Sequence, residues 1–329
     1  MPPFAWNRTL LIANPAAQSG RGAQGAREVE RALREASTGK THLGAPGCPN
    51  GPSDLEVMLT ERPGHAVELA KRHGGSCDTV VALGGDGIIH EVVNGLMRIP
   101  EDRRPCLAVV PLGSGNDFAR TLGMPRNHPD RALRAIARGA RRQFDLGCVN
   151  GTYFMQTLSF GLDAAIALAT MERRAKNGAH GTRLFAATGF DVLAHNREPF
   201  AFRAEFETVD AGGIPRTECV DGEEIVFAVQ VGPTYGGGFR ICPDASPTDG
   251  LLDVCRSVEL PSIPRTLALF SLARLGLHTG SRVVRFARIK RLNVEFAREV
   301  PCQVDGERLE GTRFEVASVP AALAVVCAR

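Results

Sequence analysis

Residues Thr79 to Gly95 read TVVALGGDGIIHEVVNG. Thr79 to Leu83 is a short, β-branched and apolar run of the kind that forms a buried strand, and a helical pattern follows from about Ile88. Between them Gly84, Gly85 and Gly87 permit positive φ and let the backbone approach a ligand with no Cβ in the way. The helix start presents unpaired N–H groups and the positive end of its dipole to an anion. Strand, glycine turn and helix in succession place a nucleotide phosphate here; a plain Asp-Gly tight turn is the other reading of the same residues. Asp86 decides how that phosphate would be held. A carboxylate beside a phosphate repels it unless a divalent cation lies between them, so Asp86 reads as a magnesium handle.

The same succession recurs twice. Cys106 to Arg120, CLAVVPLGSGNDFAR, runs from an apolar strand into a glycine turn and a helix with Asn116 or Asp117 as cap. Near the start, Thr9 to Gly25 gives TLLIA, then NPAAQSGRGAQG, then a helix bearing Ala26, Val29, Ala32, Leu33 and Ala36. LEVMLT at Leu55 to Thr60 adds a strand and His65 to His73 a helix, with the glycine- and proline-rich stretch Ser37 to Asp54 between units as an exposed loop. Strands alternating with helices predict an α/β fold with a parallel sheet whose carboxyl-end loops converge on one cleft.

Near residue 145 the pattern changes to strands and turns. In QFDLGCVNGTYFMQTLSFG, Asn150-Gly151 sits between two apolar runs and predicts a hairpin. Further strands are expected at Phe200 to Glu207, Ile225 to Val231, Leu252 to Val258, Ile289 to Phe296, Arg313 to Ala317 and Ala322 to Cys327, with helices at Leu162 to Ala175, Arg183 to His195 and Pro261 to Leu275. Two domains are therefore predicted, 1–144 and 145–329. A chain of 329 residues with 43% apolar content is long enough to fill both cores.

Composition narrows the partners. A net charge of +3 gives no ground for a nucleic-acid partner. Nine cysteines, an odd number with no CxxC pair, read as reduced small hydrophobes and not as disulfides or a zinc site. The opening MPPFAWNRTL lacks the basic and apolar regions of a signal peptide, and no run of about 18 apolar residues predicts a membrane span. A cytoplasmic protein is expected.

The three glycine loops, with their spacings, resemble the diacylglycerol kinase catalytic family, the lipid kinases that include bacterial diacylglycerol, sphingosine and ceramide kinases. Its NPxSG-like loop, its GGDGT variant followed by an NE or HE pair and its PLGTGNDFAR stand here as Asn14 to Gly20, Gly84 to Glu91 and Pro111 to Arg120. FDLG at Phe144 to Gly147, SFGLDA at Ser159 to Ala164, PDASPTDGLLDV at Pro243 to Val254 and VDGE at Val304 to Glu307 fit as well, so the resemblance spans most of the chain. Two positions depart from it: Ile88 and Ser114 stand where threonine is usual. The resemblance implies an α/β nucleotide-binding domain similar to those of NAD kinases and phosphofructokinases, then a β-sandwich whose C-terminal end packs back on the first domain, with the active site between them. It implies ATP and Mg2+ as cofactors and a lipid alcohol as acceptor.

Transfer to an alcohol needs a base, and Glu307, projected by the Asp305-Gly306 turn, is the candidate that also matches the family's proton acceptor. Asp145 matches an acid that pairs with it in bacterial members; as a plain residue it would cap a turn. For the nucleotide the resemblance implies Asn14, Thr60, Gly84, Gly85, Asp86, Gly87, Glu91 and Ser114. Thr60 also fits as a hydroxyl at a strand's carboxyl end, or as a helix cap. His90 reads as a helix-surface or core residue. No lysine follows the GGDG loop as in a P-loop, so charge neutralisation falls to magnesium, backbone N–H groups and Arg21. Asp249 in its tight turn offers the oxygen-only coordination magnesium prefers, and the resemblance implies a structural ion held by Ser246, Asp249 and Leu251; a turn aspartate bonding its own backbone is the alternative.

The acceptor groove is expected along Leu158 to Phe190. Sphingosine kinases place an acid for the lipid ammonium where Ala165 stands here, which favours a neutral alcohol such as diacylglycerol, although Asp163 lies nearby. Arg282, Arg285, Arg288, Lys290 and Arg291 follow an apolar helix and read either as peripheral contact with an anionic membrane surface or as a solvated strand face. A sphingoid or other soluble alcohol as acceptor, an NAD kinase-like activity and a non-catalytic lipid-binding module stay as alternatives, and a homodimer is compatible with the sequence.

Overall fold

The computed structural model describes residues 4–44, 51–177, 182–195, 198–209 and 213–328. The chain forms two compact units, one of Met1–Phe144 with Ala321–Arg329 and one of Asp145–Pro320.

The first unit runs β1 (Arg8–Ala13), α1 (Ala17–Ser37), β2 (Asp54–Leu59), α2 (His65–His73), β3 (Thr79–Gly84), α3 (Asp86–Leu96), β4 (Cys106–Pro111), α4 (Asp117–Thr121) and α5 (Pro129–Arg138). Its strands lie in the order β2-β1-β3-β4, all parallel. Every residue of β3 and β4 is buried, as the near-continuous apolar runs of a sheet covered on both faces require. Ala13 is in register with Leu59 and Leu83, and Gly84 with Pro111. The strands thus end together, and the segments beginning at Asn14, Thr60, Gly85 and Leu112 all leave from one sheet edge.

Two differences from the sequence reading have local causes. The glycine run after Pro15 is not a loop but the first turns of α1, distorted at Gln18 (φ 48°) and Gly20 (φ 94°). Gly22 packs so closely on the preceding turn that a Cβ there would meet Asn14 O at 2.1 Å. Helix α5 was not anticipated, although proline in its first turn and a buried stripe of Ala132, Leu133, Ile136 and Ala137 mark it.

The second unit takes in most of β5 (Ala140–Val149), then β6 (Thr152–Phe154), β7 (Thr157–Gly161), α6 (Leu162–Asn177), α7 (Thr182–His195), β8 (Phe200–Val209), β9 (Pro215–Glu224), β10 (Val226–Gln230), β11 (Leu252–Ser257), α8 (Ile263–Leu275), β12 (Val284–Phe296), β13 (Cys302–Val304), β14 (Glu307–Arg308) and the start of β15 (Arg313–Cys327). Antiparallel pairing gives β14-β13-β7-β10-β11-β12-β15. Strand β12 serves three partners along its length: Val284 to Ile289 pair with β11, Arg291 to Glu295 pair with β15, and Ile289 to Phe296 pair with β8 through a bulge at Ile289/Arg291. The core is aromatic, with the Phe160 ring 4.9 Å from Phe296 and 5.0 Å from Phe314. Gly147 exists to admit a ring: a Cβ on it would lie 2.0 Å from Phe154 Cζ.

The Asn150-Gly151 hairpin forms as predicted, with φ of 47° and 84° and Val149 opposite Thr152. Strand β9 does not show in the sequence pattern because PRTECVDGEE is polar and largely exposed, pairing among the described strands with β8 alone. The strands expected at Arg313 and Ala322 are one strand through Pro320, with Ala321 at φ 49°. Among the described residues no helix is long and apolar enough to cross a membrane. The described cysteines are all free; Cys48, with residues 45–50 of the predicted loop, lies outside the described residues.

Candidate functional site

In the first unit the aligned strand ends bring two glycine turns into contact. A Cβ on Gly113 would stand 2.4 Å from Gly85 Cα, and one on Gly85 would stand 3.2 Å from Gly113 Cα. Leu112 N–H donates to Gly84 O at 2.7 Å, and Asn14 N–H donates to Leu83 O at 3.1 Å, which tie all three loops together. Gly84 takes φ 152°, a value that L side chains rarely adopt. A Cβ there would meet Ile88 Cγ2 at 2.6 Å, so the departure at Ile88 puts an apolar contact behind the turn.

Asp86 is the first residue of α3, half-buried, and its Oδ1 accepts from Phe118 N–H at 3.3 Å. Asn14 Oδ1 accepts from Ala16 N–H at 2.9 Å, which opens α1. Ser114 is exposed at the tip of its turn. Thr60 leaves β2 beside Ala13, whose carbonyl accepts its N–H at 2.9 Å; the N-cap position of α2 is Gly64, so Thr60 is not that helix's cap. Glu91, expected at the nucleotide, also has a structural contact. Its two carboxylate oxygens accept from Gly64 N–H at 2.8 Å and Ala66 N–H at 3.0 Å, capping α2 from α3. His90 is a core residue beside Asn94.

One asparagine escaped sequence reasoning, and a second does more than the cap expected of it. Asn127, at φ 60°, accepts through Oδ1 from Gly113 N–H at 3.1 Å and Gln18 Nε2 at 2.6 Å, and so braces the second turn against α1. Asn116, the N-cap residue of α4 at φ 54°, donates through Nδ2 to Gly113 O at 2.8 Å, while its buried Oδ1 has no partner among the described residues. The signal available was asparagine's tolerance of the left-handed region.

In the second unit, Val304 pairs with Glu307 across a tight turn at Asp305 (φ 48°) and Gly306 (φ 96°), and Glu307 is exposed at its end. The turn is held from below. Asp305 Oδ1 accepts from Gln156 and Thr157 N–H, both at 3.0 Å, and its Oδ2 from Met155 N–H at 2.9 Å. Gln303, fully buried, accepts Gly306 N–H at 2.6 Å and donates to Ser159 Oγ at 2.8 Å.

Asp145 is buried and its Oδ2 accepts from Gly250 N–H at 2.6 Å, while its own N–H donates to Pro247 O at 2.7 Å. It therefore clasps the turn that carries Asp249. Asp249 Oδ1 accepts from Leu251 N–H at 3.0 Å, and its Oδ2 is bound by the Arg288 guanidinium. This donor set does not suit the ion expected at Ser246, Asp249 and Leu251, because a cationic side chain already occupies the carboxylate's outer oxygen. Among the described residues no cluster of three or more His, Cys, Asp or Glu could hold a metal.

Asp163 sits fully buried at the start of α6, with its Oδ2 accepting from Tyr235 O–H at 2.6 Å. Burial raises its pKa to about 6. An acid shut into the core and bonded to a phenol is not presented to a lipid ammonium.

Comparison with known proteins follows the same division. Residues 8–149 match the diacylglycerol kinase catalytic domain, and residues 156–327 match the YegS C-terminal NAD kinase beta sandwich-like domain. The chain is 30% identical to the diacylglycerol kinase of Bacillus subtilis (strain 168), over 77% of this chain and 79% of that one. It is 30% identical to a "Probable lipid kinase YegS-like" of Chromohalobacter salexigens, over 82% of each. The crystal structure of a diacylglycerol kinase from Bacillus anthracis str. Sterne superposes with a TM-score of 0.75 over 98% of both chains at 22% identity, a likeness of fold.

Proposed function

Because the chain belongs to the diacylglycerol kinase catalytic family and is a kinase, we propose that it transfers the γ-phosphoryl group of ATP to the hydroxyl of diacylglycerol or a related neutral lipid. The observation that carries the nucleotide half is the contact of Gly85 with Gly113 above aligned strand ends, with Asp86 as the first residue of α3. Backbone N–H groups of that helix start and the turn at Ser114 receive the phosphates, and Asn14 and Thr60 border them. Gly87 and the α2 N-terminus capped by Glu91 complete the edge. Asp86 fits a magnesium ion: it is an oxygen donor beside a cradle that a Cβ would fill. Bound there with nucleotide, the ion would neutralise phosphate charge.

The acceptor half rests on Glu307. The lipid hydroxyl oxygen bonds to the γ-phosphorus as the bond to the β-phosphate oxygen breaks, ADP departs with that electron pair, and the hydroxyl proton passes to the Glu307 carboxylate. Asp305 and Gln303 hold the hairpin, and Asp145 fixes the turn that carries Asp249. Ala165 at the ammonium position and the buried Asp163 support a neutral acceptor. The test is transfer of labelled phosphate from ATP to a panel of dispersed lipids. Diacylglycerol should be phosphorylated ahead of sphingosine; a preference for sphingosine that Asp163→Asn abolishes would overturn the acceptor.

A further inference from the structure

Large apolar side chains left in solvent are concentrated in one stretch of the second unit. Of ten exposed large apolar residues among those described, six are Leu260, Ile263, Leu272, Leu275, Leu277 and Phe286. Leu275 and Leu277 are 63% and 64% exposed. Helix α8, IPRTLALFSLARL, buries only Thr266 and Ala273 fully, yet more than half of it is apolar. Leu267 and Phe270 pack against the cluster around Leu162 and Ile166. The opposite arc carries Arg265, Ala268, Leu272 and Leu275 at spacings of 3, 4 and 3, all exposed. Exposed apolar residues concentrated in this way mark a contact site.

Charge says what the contact is with. Between Glu259 and Glu295 the chain has seven basic residues and no acidic one. Some are spent internally: Arg274 donates to Gly237 O at 2.8 Å, and Arg288 binds Asp249. Arg282, Arg285 and Lys290 are exposed and have no acidic partner among the described residues. A second copy of the chain would bring these unpaired cations against their own kind, whereas an anionic bilayer offers negative headgroups to the bases and hydrocarbon to the leucines.

We propose that α8, the Gly276–Gly280 turn after it and the opening of β12 form a docking surface for an anionic lipid bilayer. The apolar tips of Leu272, Leu275 and Leu277 enter the headgroup boundary, and Arg282, Arg285 and Lys290 lie over the phosphates.

Vesicle co-sedimentation tests this with no nucleotide present, so failure of the proposed kinase reaction would leave the result intact. The full chain should sediment with vesicles of phosphatidylcholine and phosphatidylglycerol, but not with phosphatidylcholine alone, and should be released by high salt. Leu272→Gln combined with Leu275→Gln and Leu277→Gln should weaken binding by roughly tenfold or more. Arg282→Gln with Arg285→Gln should weaken it on the order of fivefold per charge and flatten the salt dependence. All positions are exposed, so thermal unfolding should be unchanged and the detergent-dispersed activity retained. Parent-like binding by both variants, or equal binding to neutral vesicles, would overturn the proposal. So would a leucine-dependent dimer in solution that does not bind vesicles.

Discussion

Gly306 N–H donates to the side-chain oxygen of Gln303 across 2.6 Å, within the hairpin that ends in Glu307. The other end of Gln303 is bonded to Ser159, on β7. Gln303 is thus a positioning residue: it couples the direction of the Asp305-Gly306 turn to a central strand. Replacing it with Met keeps the volume but strands Gly306 N–H, at a cost of about 1–3 kcal/mol. Gln303→Met should lower kcat by roughly tenfold with the KM for ATP unchanged, since a small misplacement of a reacting group is expensive. Steady-state kinetics with both substrates varied would check this. A fall in stability with kcat intact would make Gln303 structural only.

Arg288 takes the place at Asp249 that an ion would need. Without nucleotide, the Tm of the parent should be the same in magnesium and in chelator, and Arg288→Gln should lower it by only one or two degrees, about 0.2–1 kcal/mol for a pair that solvent still reaches. Calorimetry in both buffers decides. A rise of several degrees in magnesium that Asp249→Ala removes would restore the ion site.

Burial raises the Asp163 carboxyl from 3.8 to about 6 and pushes Glu224 and Asp253 up to about 7 and about 6. In each the folded state holds its proton more tightly than the unfolded chain, so the stabilisation is full below about pH 4 and is lost as pH rises through about 6 for Asp163 and Asp253 and about 7 for Glu224. For Asp163 the loss is on the order of 2–3 kcal/mol. Asp163→Asn cannot titrate. Denaturant unfolding of parent and variant from pH 4 to 7.5 should show their stability difference shifting in the variant's favour as pH rises. Parallel curves would contradict the buried-acid account.

The first unit was legible because parallel strands are unbroken apolar runs and glycine turns punctuate them, so β1, β3 and β4 and their common edge followed from pattern alone. Long-range polar contacts were not. That Glu91 caps α2 and that Arg288 closes the Asp249 turn depends on residues 25 to 39 positions apart. The glycines at the start of α1 read as loop, whereas Gly22 is needed for close approach to Asn14. The VDGE hairpin could be read from Asp-Gly, but Gln303 beneath it could not.

Asp86 carries the nucleotide assignment. Asp86→Asn removes charge and little volume, so folding should persist while turnover falls by roughly a hundredfold or more. The loss should not be rescued by saturating ATP. Near-parent turnover would remove the proposed magnesium role.

In the proposed reaction Glu307 accepts the lipid hydroxyl proton, a role that separates nucleotide binding from turnover in a single variant. Glu307→Gln should bind ATP with parent affinity, measured by equilibrium titration, while phosphorylation of dispersed diacylglycerol falls by roughly 10² to 10⁴. Parent-like phosphorylation by Glu307→Gln, or loss of ATP binding in step with loss of turnover, would contradict it.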